Sequence, residues 1–185
     1  MKNTNIIIII GAKRSGKDTL AKYIADKYEY KIVKISEKLK KCLKILFDFS
    51  NEQLENDEKD IIDERWGLSP RKIMQFFGTE ILQNKIQEIL PQCNKNFLIN
   101  NFKNTIDKNK KYIISDLRFL HEYNALLEYN PYVILIQRDN IKYYDNHISE
   151  LEYTKIPYNI KILNNGSFTD LYDKFEIEKK NNIYN

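Results

Sequence analysis

The sequence predicts an α/β fold: a parallel sheet of five strands with helices on both faces. Three observations carry this. Short apolar, β-branched runs alternate with amphipathic helical patterns along the chain. The first run, Asn5 to Ile10, leads straight into a glycine-containing loop and then a helix. The 185 residues, 42% of them hydrophobic, suffice for one domain with a substantial core.

The elements follow in order. Asn5 to Ile10 reads as a strand, and Lys17 to about Lys27 as a helix with Leu20, Ala21, Ile24 and Ala25 on its apolar face. Lys31 to Ile35 reads as a short second strand. Ser36 is placed to cap a helix whose Leu39, Leu43 and Leu46 face inward. Asp48 to Glu64 is acidic and polar and reads as an exposed excursion. Ser69-Pro70 opens a helix that runs through Ile73, Phe76, Phe77 and Ile81 towards Leu90 and stops at Pro91. Phe76 and Phe77 read as core. Asn96 to Ile106 is a further helix. Tyr112 to Ser115 is a buried strand ending at Asp116, followed by helix over Leu117 to Tyr129. Tyr132 to Gln137 and Asn159 to Leu163 are the last strands. Between them, about 138–154, lies a polar, aromatic-rich segment with the character of a lid. Asn164-Asn165-Gly166 turns into a final helix capped by Ser167, with a frayed tail after Lys179.

Composition narrows the function. The 30 Lys+Arg against 26 Asp+Glu give a net charge of +4, which suits anionic small substrates but not the dense basic stripe of a nucleic-acid binder. Cys42 and Cys93 stand apart with no C-x-x-C partner, as reduced thiols do in a cytoplasmic protein. No run is long enough to cross a membrane and no leader pattern is present. Abundant Asn, Ile, Lys and Tyr suggest an AT-rich coding sequence, viral or parasitic. Against that background the arginines, Arg14, Arg65, Arg71, Arg118 and Arg138, mark positions where a planar, bidentate grip on phosphate matters.

The chemistry is concentrated in Gly11-Ala-Lys13-Arg14-Ser15-Gly16-Lys17-Asp18-Thr19. Its G-x-x-x-x-G-K spacing, between a strand and a helix, is that of a phosphate-binding loop: amides cradle the phosphates and Lys17 reaches the β- and γ-positions. Asp18 stands where Ser or Thr usually ligates Mg²⁺, with Thr19 next; a carboxylate can hold the ion or one of its waters. Lys13 and Arg14 add charge suited to a place where two phosphorylated substrates meet. Asp116, at a strand's carboxyl end, is placed as the second metal-organising carboxylate or as a helix N-cap. Arg118 is placed to grip an acceptor phosphate or to pair with Glu122. Arg71, Gln75, Gly78 and Thr79 share one side at helical spacing, offering a guanidinium, an amide and a bare backbone to a phosphate, a base and a sugar. Phe97 and Trp66 are candidates for stacking on a base. Arg138 follows a strand, on the nucleotide side. His147 reads as a structural clamp rather than an acid.

Taken in order, the loop, Arg71-Lys-Ile-Met-Gln75-Phe-Phe-Gly78-Thr79, Tyr112-Ile-Ile-Ser-Asp116-Leu-Arg118-Phe-Leu-His-Glu122, Asp145-Asn-His147-Ile-Ser149-Glu150 and Asn164-Asn-Gly166-Ser167 resemble the T-even phage type of deoxynucleoside monophosphate kinase over nearly the whole chain. The resemblance implies a single P-loop kinase domain over 1–185, a three-layer sandwich with a monophosphate-binding helical region at about 36–110 and the lid at 138–154. It implies transfer of the ATP γ-phosphate, with Mg²⁺, to a deoxynucleoside monophosphate, in the host cytoplasm if viral, and a homodimer. It places Lys13, Arg14, Asp18, Thr19, Arg71, Gly78, Thr79, Asp116, Arg118 and Glu122 on the substrate sites. Phe97 stands where the family pattern has tryptophan and Phe119 where it has an amide, and the acidic excursion before Trp66 is shorter, so no base preference carries over. The loop also resembles that of animal phosphomevalonate kinase, and the fold that of dephospho-coenzyme A kinase. Gln75 favours a nucleobase over either substrate. A non-catalytic nucleotide-binding module would have no need of paired arginines and a second carboxylate.

Overall fold

The computed structural model describes residues 5–139 and 147–181. The chain forms two compact units, one of residues 1–34 with 105–185 and one of residues 35–104.

The first unit is built on a five-stranded sheet. Its strands are β1 (Ile6–Ile10), β2 (Lys31–Val33), β3 (Tyr112–Ile114), β4 (Tyr132–Gln137) and β5 (Ile160–Leu163), in the order β2-β3-β1-β4-β5. Every pair is parallel, so the expected fold class holds. β1 is the central strand, and all five of its isoleucines are buried. A strand covered on both faces has no reason to alternate, which is why it reads as one apolar run. Each such side chain contributes about 1.5–3 kcal/mol by leaving water. β5 lies at the edge and alternates buried with exposed.

α1 (Lys17–Tyr28) and α7 (Phe168–Asn181) pack together on one face, where Leu20, Ala21, Ile24, Leu171 and Phe175 meet Ile7 and Ile9. The crossover from β1 to β2 and the one through α6 (Leu120–Leu126) from β3 to β4 run in opposite directions. Right-handedness therefore puts α6 on the other face. Tyr23 and Tyr172 stack at 4.1 Å, and Tyr23 and Tyr28 both donate to Glu176, fastening α1 to α7. Ser167 caps α7 as expected: its hydroxyl accepts from the Asp170 amide, while the Asp170 carboxylate accepts from the Ser167 amide.

The second unit is helical: α2 (Glu37–Phe47), α3 (Asn51–Glu55), α4 (Pro70–Gln75) and α5 (Phe97–Lys103). Several expectations are corrected here. The helix expected over 70–90 is α only as far as Gln75. It continues as a π-helix over Phe76–Asn84 and a 3₁₀ turn over Lys85–Glu88. Phe76 is exposed rather than core, and Phe77 is half-buried with its edge on Phe47. Leu46 is exposed; Leu39 and Leu43 carry the buried stripe of α2. Ser36 precedes α2 without making a side-chain cap bond. The acidic stretch 48–64 is not a bare excursion: it buries Phe49, Leu54 and Asp63. Asp63 accepts from Arg65 and Gln53, which holds its carboxyl well below the usual range.

In the first unit the helix expected from Leu117 starts at Leu120, and residues 117–119 lie outside helix and strand, with Phe119 extended. The final helix runs past Lys179 to Asn181. The first half of the expected lid, residues 140–146 with Asp145, lies outside the described residues. The second half forms 3₁₀ turns at Ile148–Glu150 and Glu152–Lys155.

Candidate active site

The carboxyl ends of β1, β3 and β4 gather the site of the first unit. Connections leave β1 towards β2 on one side, and those from β3 pass to β4 on the other. The carboxyl edge of β1 is thus the switch point where open α/β sheets bind ligands.

The loop after β1 is held in one shape by its backbone. Gly11 (φ 149°), Arg14 (φ 62°) and Gly16 (φ 102°) adopt positive φ, and the Ser15 amide donates to the Ala12 carbonyl at 3.2 Å. Left-handed residues within a tight turn are the backbone conformation from which anion nests are built. A Cβ on Gly11 would overlap the Ile136 carbonyl oxygen of β4, and one on Gly16 the side-chain amide of Asn164. Lys17, the first residue of α1, is only 7% exposed, and its ammonium donates to the Ala12 carbonyl at 2.7 Å. The cation is folded back over the loop that precedes it. Ser15 is wholly buried; Arg14 and Asp18 are exposed; Lys13 and Thr19 are half-buried.

The end of β3 faces this loop through a contact that the sequence did not announce. The Ser115 hydroxyl donates to Asp18 Oδ1 at 2.8 Å. That bond orients the carboxylate of α1's first turn against the strand that carries Asp116, which is half-buried. Asp18 and Ser115, with Thr19 and Asp116 beside them in the chain, supply hard oxygen donors. Among the described residues no three carboxylates, histidines or cysteines cluster into a closed cage. Two carboxylates and hydroxyls, completed by substrate phosphates, are the donor set that Mg²⁺ takes in phosphoryl-transfer sites, so the residues present fit that ion.

The pairing of the Arg118 side chain with Glu122, one of the two readings open to it, is not formed. Glu122 is buried, and its Oε2 accepts from the Arg118 amide at 2.9 Å and the Phe119 amide at 3.1 Å. It caps the start of α6 and fixes the backbone that carries Arg118. Burial pushes its pKa up to about 7, against those two hydrogen bonds and with the charge of Asp116 adding to the rise. The Arg118 guanidinium instead pairs with Glu150, Nη1 to Oε2 at 3.1 Å. Arg138 is exposed at the end of β4. His147 accepts from the Ser149 amide and clamps its own turn, the structural role expected of it.

The second unit holds the other candidates. Arg71 donates from Nε to Asp60 at 2.5 Å. Gln75 and Gly78 are half-buried and Thr79 is buried. The π-helix begins between Gln75 and Gly78, so the ~100° advance per residue of an α-helix no longer relates 71 and 75 to 78 and 79. Phe97 is half-buried at the start of α5. Trp66 donates its indole N–H to the Phe47 carbonyl and sets its ring at 5.1 Å from Phe47.

Sequence reasoning gave no role to Ser115, Asn164, Glu150 or Asp60. The first two had a signal: each adjoins the carboxyl end of a strand in a sheet whose ligands bind at that edge. The other two pair with arginines across loops, Asp60 with Arg71 eleven residues on and Glu150 with Arg118 thirty-two residues back.

A family model for deoxynucleotide monophosphate kinase matches residues 5–66 and 48–175. The chain is 34% identical over 179 residues to the "Putative deoxynucleotide monophosphate kinase" of Acanthamoeba polyphaga mimivirus, covering 91% of this chain and 93% of that one. It is 27% identical over 115 residues to "Deoxynucleotide monophosphate kinase" of Escherichia phage RB69, covering 62% and 46% of the two chains. Among solved structures, shikimate kinase from Aquifex aeolicus superposes with a TM-score of 0.50 at 12% identity over 97% of this chain and 98% of its own, a likeness of fold. The loop at a switch point, the two carboxylates and a match along nearly the whole sequence converge: the chain belongs to the deoxynucleotide monophosphate kinase family and is a nucleotide phosphotransferase.

Proposed function

We propose that the chain transfers the γ-phosphate of ATP to a deoxynucleoside monophosphate. An oxygen of the acceptor phosphate forms the new bond to γ-phosphorus, the bond from γ-phosphorus to the β–γ bridging oxygen breaks, and ADP leaves. The acceptor is largely a dianion at neutral pH, so no strong base is needed, and catalysis is positioning and charge neutralisation. The observation that carries the reading is the Ser115–Asp18 bond, which ties the phosphate loop to the strand bearing Asp116 and Arg118.

In this reading Gly11, Ser15, Gly16 and Thr19 shape the donor site, and Lys17 moves from Ala12 to the transferring phosphoryl. Asp18 and Asp116 hold Mg²⁺ or its waters; that ion, when bound, neutralises charge on the phosphate oxygens. Arg138 serves the ATP side. Arg118, with Lys13 and Arg14, takes the acceptor phosphate, and Glu122 positions rather than touches. Residues 35–104 form the monophosphate-binding region, where Gln75 reads the base, Gly78 and Thr79 accommodate the sugar and Phe97 stacks. Among the described residues no helix is long and apolar enough to cross a membrane. The homodimer implied by the family resemblance is tested by light scattering.

The deciding experiment incubates the protein with ATP, Mg²⁺ and each ribo- and deoxynucleoside monophosphate in turn, following ADP release. Turnover of at least one deoxynucleotide is expected. ATP binding by calorimetry without product from any monophosphate would overturn the proposal.

A further inference from the structure

We infer that Glu150 is a positioning residue for the acceptor phosphate, acting through Arg118. The inference rests on the assignment of Arg118 to that phosphate.

Arg118 sits two residues beyond Asp116 in the irregular stretch between β3 and α6, and its backbone is pinned by Glu122. A backbone so fixed still leaves a long side chain its rotamer freedom. Glu150 removes part of it. Its carboxylate meets Nη1 at 3.1 Å, and the pair is unequally covered: the Glu150 side chain is 9% exposed, the Arg118 side chain 22%. The carboxylate is the sheltered partner and the guanidinium the accessible one. That asymmetry is expected of a brace behind a binding group. A carboxylate standing in for the phosphate would occupy the accessible side. A contact through Nη1 leaves donors on Nη2 and Nε, which a phosphate can engage.

The brace has its own support. Glu150 closes a 3₁₀ turn whose start is clamped by His147 on the Ser149 amide. The next turn, Glu152–Lys155, packs on α6 and ends at the buried Ile156. The half-buried Tyr153 on that turn lies close enough to feel both the Arg118 and the Glu150 charge. The guanidinium is thus held between two fixed points, the capped backbone at 118 and the anchored turn at 150. Arrangements of this kind keep a binding group within the small tolerance that transfer geometry allows.

The test is steady-state kinetics on the full chain, with whichever of dAMP, dCMP, dGMP and dTMP is turned over best. Glu150→Ala and the near-isosteric Glu150→Gln should raise the KM for the monophosphate about tenfold or more, leaving the KM for ATP within about twofold. Arg118→Ala should raise the same KM at least as far. The double variant Arg118→Ala/Glu150→Ala should be no worse than Arg118→Ala within about twofold, since the brace has nothing left to hold. A merely structural role would move both KM values together and would add to the Arg118 effect. If Arg118→Ala raises the monophosphate KM while the Glu150 variants leave it unchanged or lower it, the positioning role is overturned and the assignment of Arg118 stands. If Arg118→Ala leaves that KM unchanged, both fall.

Discussion

The side-chain amide of Asn164 donates to the Ser15 carbonyl at 2.8 Å, while its backbone N–H donates to the Gln137 carbonyl at 2.8 Å. One residue past the end of β5 therefore ties β4 to the phosphate loop. The same side chain fills the space that a Cβ on Gly16 would need. Asn164→Ala leaves a buried carbonyl without this donor and should cost about 1–3 kcal/mol in urea unfolding. It should also raise the KM for ATP about tenfold with little effect on the monophosphate KM. An unchanged ATP KM would show that the loop keeps its shape unaided.

Lys17→Met keeps the length of a side chain that is nearly buried but removes its charge. The thermal transition should move little, because the ammonium's partner is the carbonyl of the half-buried Ala12 in the loop rather than a core group, and Met fills the same space. Turnover should fall at least about 10²–10³-fold, the usual effect of losing one aimed cationic donor. Full activity in an ADP-release assay would refute the donor-site assignment.

Gly78 separates steric need of the fold from need of the substrate. It lacks the positive φ of Gly11 and Gly16, and a Cβ there meets only the end of the Leu39 side chain, at 3.4 Å. Gly78→Ala should leave stability unchanged or raise it by about 0.5–1 kcal/mol, as helical Gly→Ala does. If a deoxyribose or base passes over this position, the monophosphate KM should nonetheless rise. Unaltered kinetics would remove Gly78 from the substrate site.

Glu122 offers a pH test with a definite sign. Its carboxyl titrates near 7 when folded, against an ordinary value of 4.5. Between these values the folded state binds a proton that the unfolded chain has released, so stability falls as pH rises through the window. Glu122→Gln keeps an acceptor for the two amides and does not titrate. Wild type should therefore gain on the glutamine variant on going from about pH 7.5 to about pH 5, by up to about 3 kcal/mol in paired urea unfolding curves. A flat or reversed difference would mean that the carboxylate stays charged throughout.

How much of this was legible in the sequence follows from how each feature is encoded. The isoleucine run of β1, the Gly11–Thr19 loop and the apolar face of α1 were readable because burial, positive φ and helical period are written into neighbouring residues. The placement of Asp116 and Arg138 just past strand ends was readable for the same reason. The π-helix after Gln75 was not, because an i→i+5 ladder shares the composition of an α-helix. Nor was the partner of Arg118: sequence proximity suggested Glu122, four residues on, but Glu150 takes it from 32 residues away. Ser115 and Asp18 are 97 residues apart, and Asn164 and Ser15 are 149 apart. The sequence by itself determined the fold class and the phosphate loop. The tertiary structure alone decided what orients each charged group, since strand order in the sheet, which no local pattern records, sets which strand ends become neighbours.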